Sequence, residues 1–151
     1  MVQYNYMGTV FSDSDIRVHV GEPGVIEYVW NVGKAFAEWL PEDGTVAVVQ
    51  SQSADVSIVK AFNEGLLLQG RNVIDAGVGG QQTINAVLGE NKAAGAVFID
   101  YIAAQDLAII CFYDSRGAVV SLQTGLNEIN QLVSAGNFLP ASNKGTLLTS
   151  V

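Results

Sequence analysis

The fold of this chain is decided by the stretch Gly95–Gly117, which reads GAVFIDYIAAQDLAIICFYDSRG. It holds two short apolar runs rich in Val, Ile and Phe, Ala96–Ile99 and Leu107–Phe112. Runs of this kind are typical of strands buried on both faces of a sheet. The connecting loop, Asp100–Asp106, is too short for a parallel crossover, so the two strands are predicted to be antiparallel.

Strand and helix patterns alternate on either side of this pair. Strands are predicted over Thr45–Val49 and Asn72–Ala76, and Tyr4–Val10 is predicted to be a strand or an arm. The predicted helices are Val25–Leu40, a helix capped by Asp55 or Ser53 and ended by Gly70, Gln81–Leu88 before Gly89, and Leu122–Ala135 after Ser121. The first helix is predicted to bury a stripe made of Ile26, Val29, Trp30, Gly33, Phe36, Ala37 and Leu40. The second is predicted to bury Ile58, Val59, Phe62, Leu66 and Leu67.

Strands that alternate with helices at this spacing predict a three-layer α/β/α domain with a mixed, mostly parallel sheet. We place this domain at residues 1–135. Residues 136–151 are small and polar and show no stable period, so they are predicted to form a flexible tail or a truncated linker.

Composition narrows the classes of function. The chain of 151 residues carries a formal charge of −8, with seven Lys and Arg against fifteen Asp and Glu. The absence of a basic cluster argues against binding to nucleic acid or to an anionic membrane. Because Cys111 lies in an apolar run, it is expected to be a buried, inert thiol. The N-terminal residues lack a leader pattern and no apolar run is long enough to span a membrane, so we expect a cytoplasmic protein.

Four motifs occur in a recognisable order. They are Phe11-Ser-Asp-Ser-Asp-Ile-Arg17, Gly65-Leu-Leu followed by Gly70, Val73-Ile-Asp-Ala-Gly77 and Phe112-Tyr-Asp-Ser-Arg-Gly117. Over about residues 8–135 the chain resembles the first domain of the α-D-phosphohexomutases, the phosphoglucomutase and phosphomannomutase superfamily. The resemblance implies the fold of that domain and, for an intact family member, a magnesium-dependent isomerase that acts on hexose phosphates.

The resemblance fails at the family's reactive loop. The family has Gly-Gly-Val-Met-Ile-Thr-Ala-Ser-His-Asn-Pro, and its serine carries the transferred phosphoryl group. In the corresponding segment of this chain, Ile102 falls at the serine, Ala103 at the histidine and Ala104 at the asparagine. An isoleucine side chain has no atom that accepts phosphate or binds a metal. The segment Val48–Ala54 also lacks the charged residues of the family's Val-Val-Gly-Arg-Asp-Thr-Arg.

Five residues remain as candidates for ligand binding: Arg17, Ser51, Ser53, Asp100 and Tyr101. Arg17 matches the arginine of the family motif and either meets an anion or pairs with Asp13 or Asp15. The two serines flank a strand-to-helix turn that favours an anion, although helix capping explains them as well. Asp100 and Tyr101 end a strand at the presumed pocket and are considered as an acid–base pair.

Other features carry less chemistry. Asp13 and Asp15 offer two carboxylates to a divalent cation, but a solvated turn is the simpler interpretation. The run Gly77-Val-Gly-Gly80 is an incomplete dinucleotide fingerprint and is better explained as a turn. His19 lacks a metal-binding partner at ligand spacing, so a structural role is expected. We therefore predict neither catalytic residues nor a metal site nor a cofactor.

These observations favour a pseudoenzyme: a non-catalytic binding or oligomerisation domain that has lost the phosphoserine loop and binds sugar phosphates weakly or not at all. We expect a homo-oligomer or a partner protein, because a first domain without its neighbours exposes apolar surface. The alternative is one component of a split or multi-domain phosphohexomutase. A third interpretation is that the chain is an excerpt of a longer protein.

Overall fold

The structure is a computed structural model that describes residues 9–41 and 43–149. Its strands are β1 (Thr9–Phe11), β2 (Ile16–His19), β3 (Val46–Gln50), β4 (Val73–Val78), β5 (Gly95–Ile102), β6 (Leu107–Asp114) and β7 (Leu147–Thr149). Its helices are α1 (Val25–Trp39), α2 (Val56–Leu68), α3 (Gln81–Asn91) and α4 (Asn127–Ala135). A 3-10 turn covers Ala103–Gln105 and a π-helical turn covers Leu122–Leu126.

The described strands form one sheet in the order β1-β2-β6-β5-β3-β4-β7. The β1-β2-β6-β5 half is antiparallel, whereas the β5-β3-β4-β7 half is parallel. The predicted α/β class and the mixed sheet are therefore confirmed, with antiparallel pairings taking a full half of the sheet. Only residues 9 and 10 of the predicted strand or arm Tyr4–Val10 are described, and they belong to β1.

The sheet lies between two helical layers, as predicted. Helices α1, α2 and α4 contribute to the larger apolar cluster on one face, and α3 contributes to the smaller cluster on the other. Phe36 and Phe62, one from each of α1 and α2, pack on Phe112 of β6 with ring centroids 4.8 and 6.2 Å away. This aromatic contact joins the central sheet to both helices.

Helices α1 and α2 approach closely at two glycines. A Cβ atom on Gly33 would meet the carbonyl oxygen of Phe62, and one on Gly65 would meet the carbonyl oxygen of Trp30. The spacing of the two helices therefore depends on glycine at both positions. The predicted stripe of α1 is correct for most of its length, but Ile26 is 46% accessible although Val25 in the same turn is buried, and Trp30 is only half-buried.

The ends of α1 and α2 follow the predicted signals in part. Leu40, before Pro41, ends α1, and Gly70 follows α2 with a φ of +87°. Asp55 is the cap of α2, because its carboxylate accepts hydrogen bonds from the backbone N–H groups of Ser57 and Ile58. The alternative cap, Ser53, is wrong. All five residues predicted to face inward from α2 are buried.

The later helices differ from the predicted ones at their ends. Helix α3 continues through Gly89, and Lys92 follows it in the left-handed region with a φ of +48°. The helix predicted over Leu122–Ala135 is divided at Gly125, where a φ of +155° and the adjacent Trp39 ring interrupt the regular turn. Ser121 begins this segment as predicted, with its backbone N–H donating to Thr124 Oγ1 over 2.7 Å.

The described part of the segment predicted to be a flexible tail contains a strand of the sheet. Strand β7 pairs in parallel with β4, and the chain before it is bonded to the end of α2 by Ala141 N–H and Gly145 N–H. Thr146 connects the segment to β4 through its carbonyl oxygen, which accepts from Val73 N–H. The prediction was wrong because these contacts use the backbone and leave no apolar period in the side chains. Whether residues 136–151 also serve as a linker remains a prediction.

The loop predicted over Asp100–Asp106 is shorter than expected. Strand β5 continues to Ile102, which pairs with Leu107, so only the turn Ala103–Asp106 separates the two strands. Asp106 makes the turn possible with a φ of +52°, which aspartate tolerates better than most residues. No helix within residues 9–41 and 43–149 has the length and the apolar character needed to cross a bilayer.

Candidate functional site

The C-terminal ends of β3 and β5 form the edge of the sheet at which α/β folds usually bind ligands. Here Ser51 and Ser53 begin the connection from β3 to α2, and their hydroxyl oxygens lie 3.3 Å apart. Ser53 Oγ donates to the carbonyl oxygen of Tyr101, and Ser51 N–H donates to the carbonyl oxygen of Ile99. The structure therefore brings three of the five candidates, the two serines and Tyr101, to one place.

A hydrogen-bond network centred on Asp106 holds the neighbouring loops at this edge. The Tyr101 hydroxyl donates to Asp106 Oδ1 over 2.6 Å, and Gly21 N–H donates to Asp106 Oδ2 over 3.0 Å. The Asp106 carbonyl oxygen also accepts from Val20 N–H. The hydrogen bond to Asp106 raises the pKa of Tyr101, so the phenol stays protonated. The network connects the β5–β6 turn to the segment that enters α1.

Tyr101 and Asp100 do not form the acid–base pair that the sequence suggested. Successive strand residues point to opposite faces, so the two side chains lie on different sides of the sheet. Asp100 Oδ1 accepts from the backbone N–H of Tyr101, while the phenol is bonded to Asp106. The carboxylate nearest to the phenol is therefore Asp106, a residue that sequence analysis did not select.

Arg17 is bonded to Asp15, one of the two partners that were considered for it. Its Nε donates to Asp15 Oδ1 over 2.9 Å, and the hydrogen bond and charge of Asp15 raise the pKa of the guanidinium. Asp15 is only 6% accessible and also accepts a hydrogen bond from Ser12 Oγ over 2.6 Å. The interpretation of this segment as a solvated turn is wrong for Asp15. Arg17 is 35% accessible and keeps one side open to solvent.

Arg17 is separated from the serines by the width of the sheet. It lies in β2, and the strand order places β6 and β5 between β2 and β3. At about 4.8 Å per strand, the backbones of β2 and β3 are about 14 Å apart. Arg17 instead lies in one row with Asp100, since both residues are paired with Ile109 of β6. The five candidates thus form two groups rather than one pocket.

At the turn between β5 and β6, the side chains of residues 102–104 carry no nucleophilic group. Ile102 is half-buried within the strand, and the side chains of Ala103 and Ala104 are exposed methyl groups. Phosphoryl transfer requires a hydroxyl, thiol, carboxylate or imidazole at the reacting position. The hydroxyls of Ser51 and Ser53 at the neighbouring strand end bond to each other, and Ser53 Oγ also donates to the carbonyl oxygen of Tyr101 in β5.

The glycine run after β4 agrees with its interpretation as a turn. Gly77 follows an Asp75 turn with a φ of +73°, and Gly79 packs so closely on Thr83 that a Cβ atom would not fit. The glycine run is thus explained by the turn into α3. His19 is half-buried at the end of β2. In the part of the chain that the structure describes, no group of three or more His, Cys, Asp or Glu residues is placed to hold a metal ion.

Cys111 lies in the middle of β6 and is half-buried. Burial raises the pKa of its thiol to about 11, so the nucleophilic thiolate is scarce at neutral pH. A pocket of about 510 Å³ lies at the opposite end of the sheet, beside Arg71. There the Arg71 guanidinium donates to the carbonyl oxygens of Ala37, Leu40 and Gly44, which secures the end of α1.

Two phosphomannomutases are similar to this chain in sequence. The protein from Salmonella typhimurium (strain LT2) is 24% identical over 135 residues, which cover 89% of this chain and 30% of the relative. The protein from Salmonella montevideo is 24% identical over 136 residues, with the same two shares covered. No protein-family model matches the chain.

Solved structures give the same result for the fold. A phosphoglucomutase/phosphomannomutase family protein from Burkholderia thailandensis superposes with a TM-score of 0.62 at 16% identity, covering 93% of this chain and 32% of that one. A protein from Thermus thermophilus named as a phosphomannomutase gives a TM-score of 0.67 at 16% identity, with 96% and 33% covered.

The chain therefore has an α/β fold found in phosphoglucomutase/phosphomannomutase family proteins. It resembles a single domain of that superfamily, as its motifs predicted. The chain spans about a third of the length of the relatives and the structures that it matches.

Proposed function

We propose that this chain is a phosphohexomutase-like binding domain that does not itself transfer phosphoryl groups. The proposal rests on the β5–β6 turn, where Ile102 is a paired strand residue and Ala103 and Ala104 carry only methyl groups. No atom of these three side chains can form a bond to phosphorus. The adjacent Asp106 is bonded to Tyr101 and Gly21, so its carboxylate serves the structure of the turn.

Binding at this edge of the sheet would use the serines and not Arg17. The hydroxyls of Ser51 and Ser53 lie beside exposed backbone at the start of α2, which suits a weak contact with a sugar phosphate. The Asp55 carboxylate caps the same helix and opposes a dianion there. We therefore expect affinity in the weak range, with protein partners or a second copy as the stronger ligands.

One incubation tests both parts of this proposal. The chain is mixed with glucose or mannose phosphates and with a hexose bisphosphate, with and without magnesium, and its melting temperature and intact mass are recorded. We expect no covalent phosphoryl group and a small, saturable rise in melting temperature. A ligand at a hundredfold excess over its Kd adds about 2.7 kcal/mol of apparent stability.

Matched variants locate the effect. The double variant Ser51→Ala and Ser53→Ala is expected to remove the ligand-dependent rise, while Arg116→Ala, a distant and exposed arginine, is expected to keep it. A chain that gains mass from the bisphosphate would contradict the non-catalytic proposal. The absence of any rise with sugar phosphates would limit the domain to macromolecular partners.

The alternative function is one domain of a larger phosphohexomutase. The observation that favours it is the coverage, since the matched phosphomannomutases are about three times as long as this chain. Under this alternative, residues outside the sequence supply the other subsites, and the reactive hydroxyl has to come from another segment than the β5–β6 turn. Mutase activity that appears when the chain is combined with such domains, and that depends on Ser51 or Ser53, would support it.

A further inference from the structure

One face of the sheet is covered by helix over only part of its width. Within residues 9–41 and 43–149, α3 is the helix whose side chains pack on the face opposite α1 and α2. The apolar cluster beneath α3 reaches Phe98 and Cys111 as partly buried members. Ile109, the next outward-facing residue of β6, belongs to neither apolar cluster and is half-buried. Among the described residues, the part of this face around Ile109, away from Ala96 and Tyr113 beneath α3, is therefore not covered by a helix.

A row of three residues crosses the open part at right angles to the strands. Ile109 of β6 is paired with Arg17 of β2 on one side and with Asp100 of β5 on the other. All three side chains point to the same face, because residues in register on neighbouring strands share it. The row is therefore positive, apolar and negative in turn across the sheet.

This row is complementary to itself. A two-fold axis that runs parallel to β6, midway between two facing sheets, keeps each row at its own level and exchanges β2 with β5. Arg17 of one copy then faces Asp100 of the other, and this happens twice, while Ile109 faces Ile109 at the centre. An axis at right angles to the strands would instead place Arg17 on the β2 side of the second copy, where like charges meet.

We propose that this open face, defined by Arg17, Phe98, Asp100, Ile109 and Cys111, binds a second copy of the chain through a two-fold axis parallel to β6. The arrangement is an isologous, face-to-face packing of sheets, which usually lie about 10 Å apart with strands within about 30° of each other. The apolar centre excludes water, and the two charge pairs at its sides fix the register.

Arg17 can contact Asp15 of its own chain and Asp100 of the second copy at the same time. A guanidinium has five N–H donors, and the hydrogen bonds to Asp15 involve Nε and one terminal nitrogen. The Asp15 pair holds the side chain in place before association, which lowers the entropy that is lost on binding. Asp100 is likewise held by its hydrogen bond to Tyr101 N–H, so both charged groups are prepared for the contact.

This inference deepens the proposed function, because it names the partner of the binding domain. The two proposals fail in different ways. Loss of self-association would leave unchanged the rise in melting temperature that sugar phosphates cause through Ser51 and Ser53. Covalent uptake of a phosphoryl group would contradict the proposed function and leave the dimer unaffected.

Analytical ultracentrifugation of the full chain and of charge variants tests the interface. Wild type is expected to dimerise. The single variants Asp100→Lys and Arg17→Asp each place two like-charge pairs in the homodimer and are expected to raise the dimer Kd at least about tenfold. An equimolar mixture of the two variants restores both opposite-charge pairs and is expected to form heterodimers with a Kd close to that of wild type.

Control variants separate this interface from general effects of charge and folding. Glu90→Lys on the exposed surface of α3 makes the same charge change as Asp100→Lys and is expected to leave the dimer Kd unchanged. Arg17→Asp also loses the Asp15 ion pair, so melting curves accompany each run. If Arg17→Asp fails to fold, Ile109→Lys replaces it and is expected to give a folded monomer.

Three results would overturn the proposal. The first is a wild-type chain that stays monomeric at high concentration. The second is a mixture of Asp100→Lys and Arg17→Asp that associates no better than either variant alone. The third is a chain that dimerises only after residues 1–8 are removed, since the face would then belong to that segment and not to a second copy.

Discussion

The α1–α2 helix pair and the β5–β6 hairpin are specified in contrasting ways. The helix pair requires glycine at two positions where backbones meet, and its partners are buried aromatic and aliphatic side chains. The end of the hairpin consists of exposed alanines and an exposed glutamine, whose side chains pack on little. The helix contact is therefore specified by close backbone packing, whereas the turn is specified by Asp106 and its hydrogen bonds.

The largest effect is expected from a methyl group between the two helices. Gly65→Ala places a Cβ atom against the carbonyl oxygen of Trp30, so α1 and α2 have to separate. We expect a loss of about 2 to 4 kcal/mol in the free energy of unfolding, measured by urea denaturation. Gly89→Ala in α3 is the matched control, because no atom lies within 4 Å of the added group. It should stabilise the chain by up to about 1 kcal/mol. Equal effects of the two substitutions would show that the helix contact is looser than described.

The body of the hairpin is expected to respond to alkaline pH through Cys111. Its pKa is raised by burial from 9.0 to about 11, so the unfolded chain loses the thiol proton before the folded chain does. The protonated thiol therefore stabilises the folded chain fully below pH 9, and this stabilisation is lost as the pH rises to about 11. The free energy of unfolding should fall by about 2 to 3 kcal/mol over this range. Urea denaturation of wild type and Cys111→Ala across this range measures it. The difference in free energy between the two proteins should narrow as the pH rises, and a constant difference would contradict the burial of the thiol.

The smallest effect is expected at the turn itself. Asp106→Ala removes the acceptor for Tyr101 and Gly21 and also places alanine at a φ of +52°, at a total cost of about 1 to 2 kcal/mol at this partly exposed turn. Asp106→Asn keeps a residue that tolerates this φ and retains one acceptor oxygen, so its loss should be smaller. Thermal denaturation of both variants separates the backbone effect from the hydrogen bonds. A larger loss for Asn than for Ala would contradict this account.

Much of the fold could be predicted because its signals are local. The apolar runs of β5 and β6, the stripe of Phe36 and its neighbours, and Gly70 each report on their own segment. Strand β7 could not be predicted in this way, since it is held by hydrogen bonds from Gly145 and Val73 that depend on distant backbone. Ile26 was misplaced because the spacing of apolar residues shows which face of α1 is apolar but does not show how much of that face the rest of the protein covers.

The candidate site was less predictable because its contacts join separate segments. Tyr101 and Asp106 meet only through the register of the hairpin, which a one-residue change in the loop would reverse. The turn Gln105-Asp106 between two strands is the signal that would have indicated Asp106, because aspartate is favoured at positive φ. Arg17 and Asp15, in contrast, lie two residues apart on the chain, so their pairing was among the alternatives that the sequence offered.

The order of strands has a consequence for how fast the chain can fold. Strand β2 is held between β1 and β6, and Ile16 is paired with Ile110, so these strands are brought together by closing a loop that contains most of the chain. Loop closure of this length costs entropy before any contact repays it, and folding rates fall as contacts become less local. The β5–β6 hairpin is the local pair on which β2 can dock. Collapse around this hairpin would therefore precede completion of the sheet, and the edge of β6 would be open to wrong pairing until β2 docks on it.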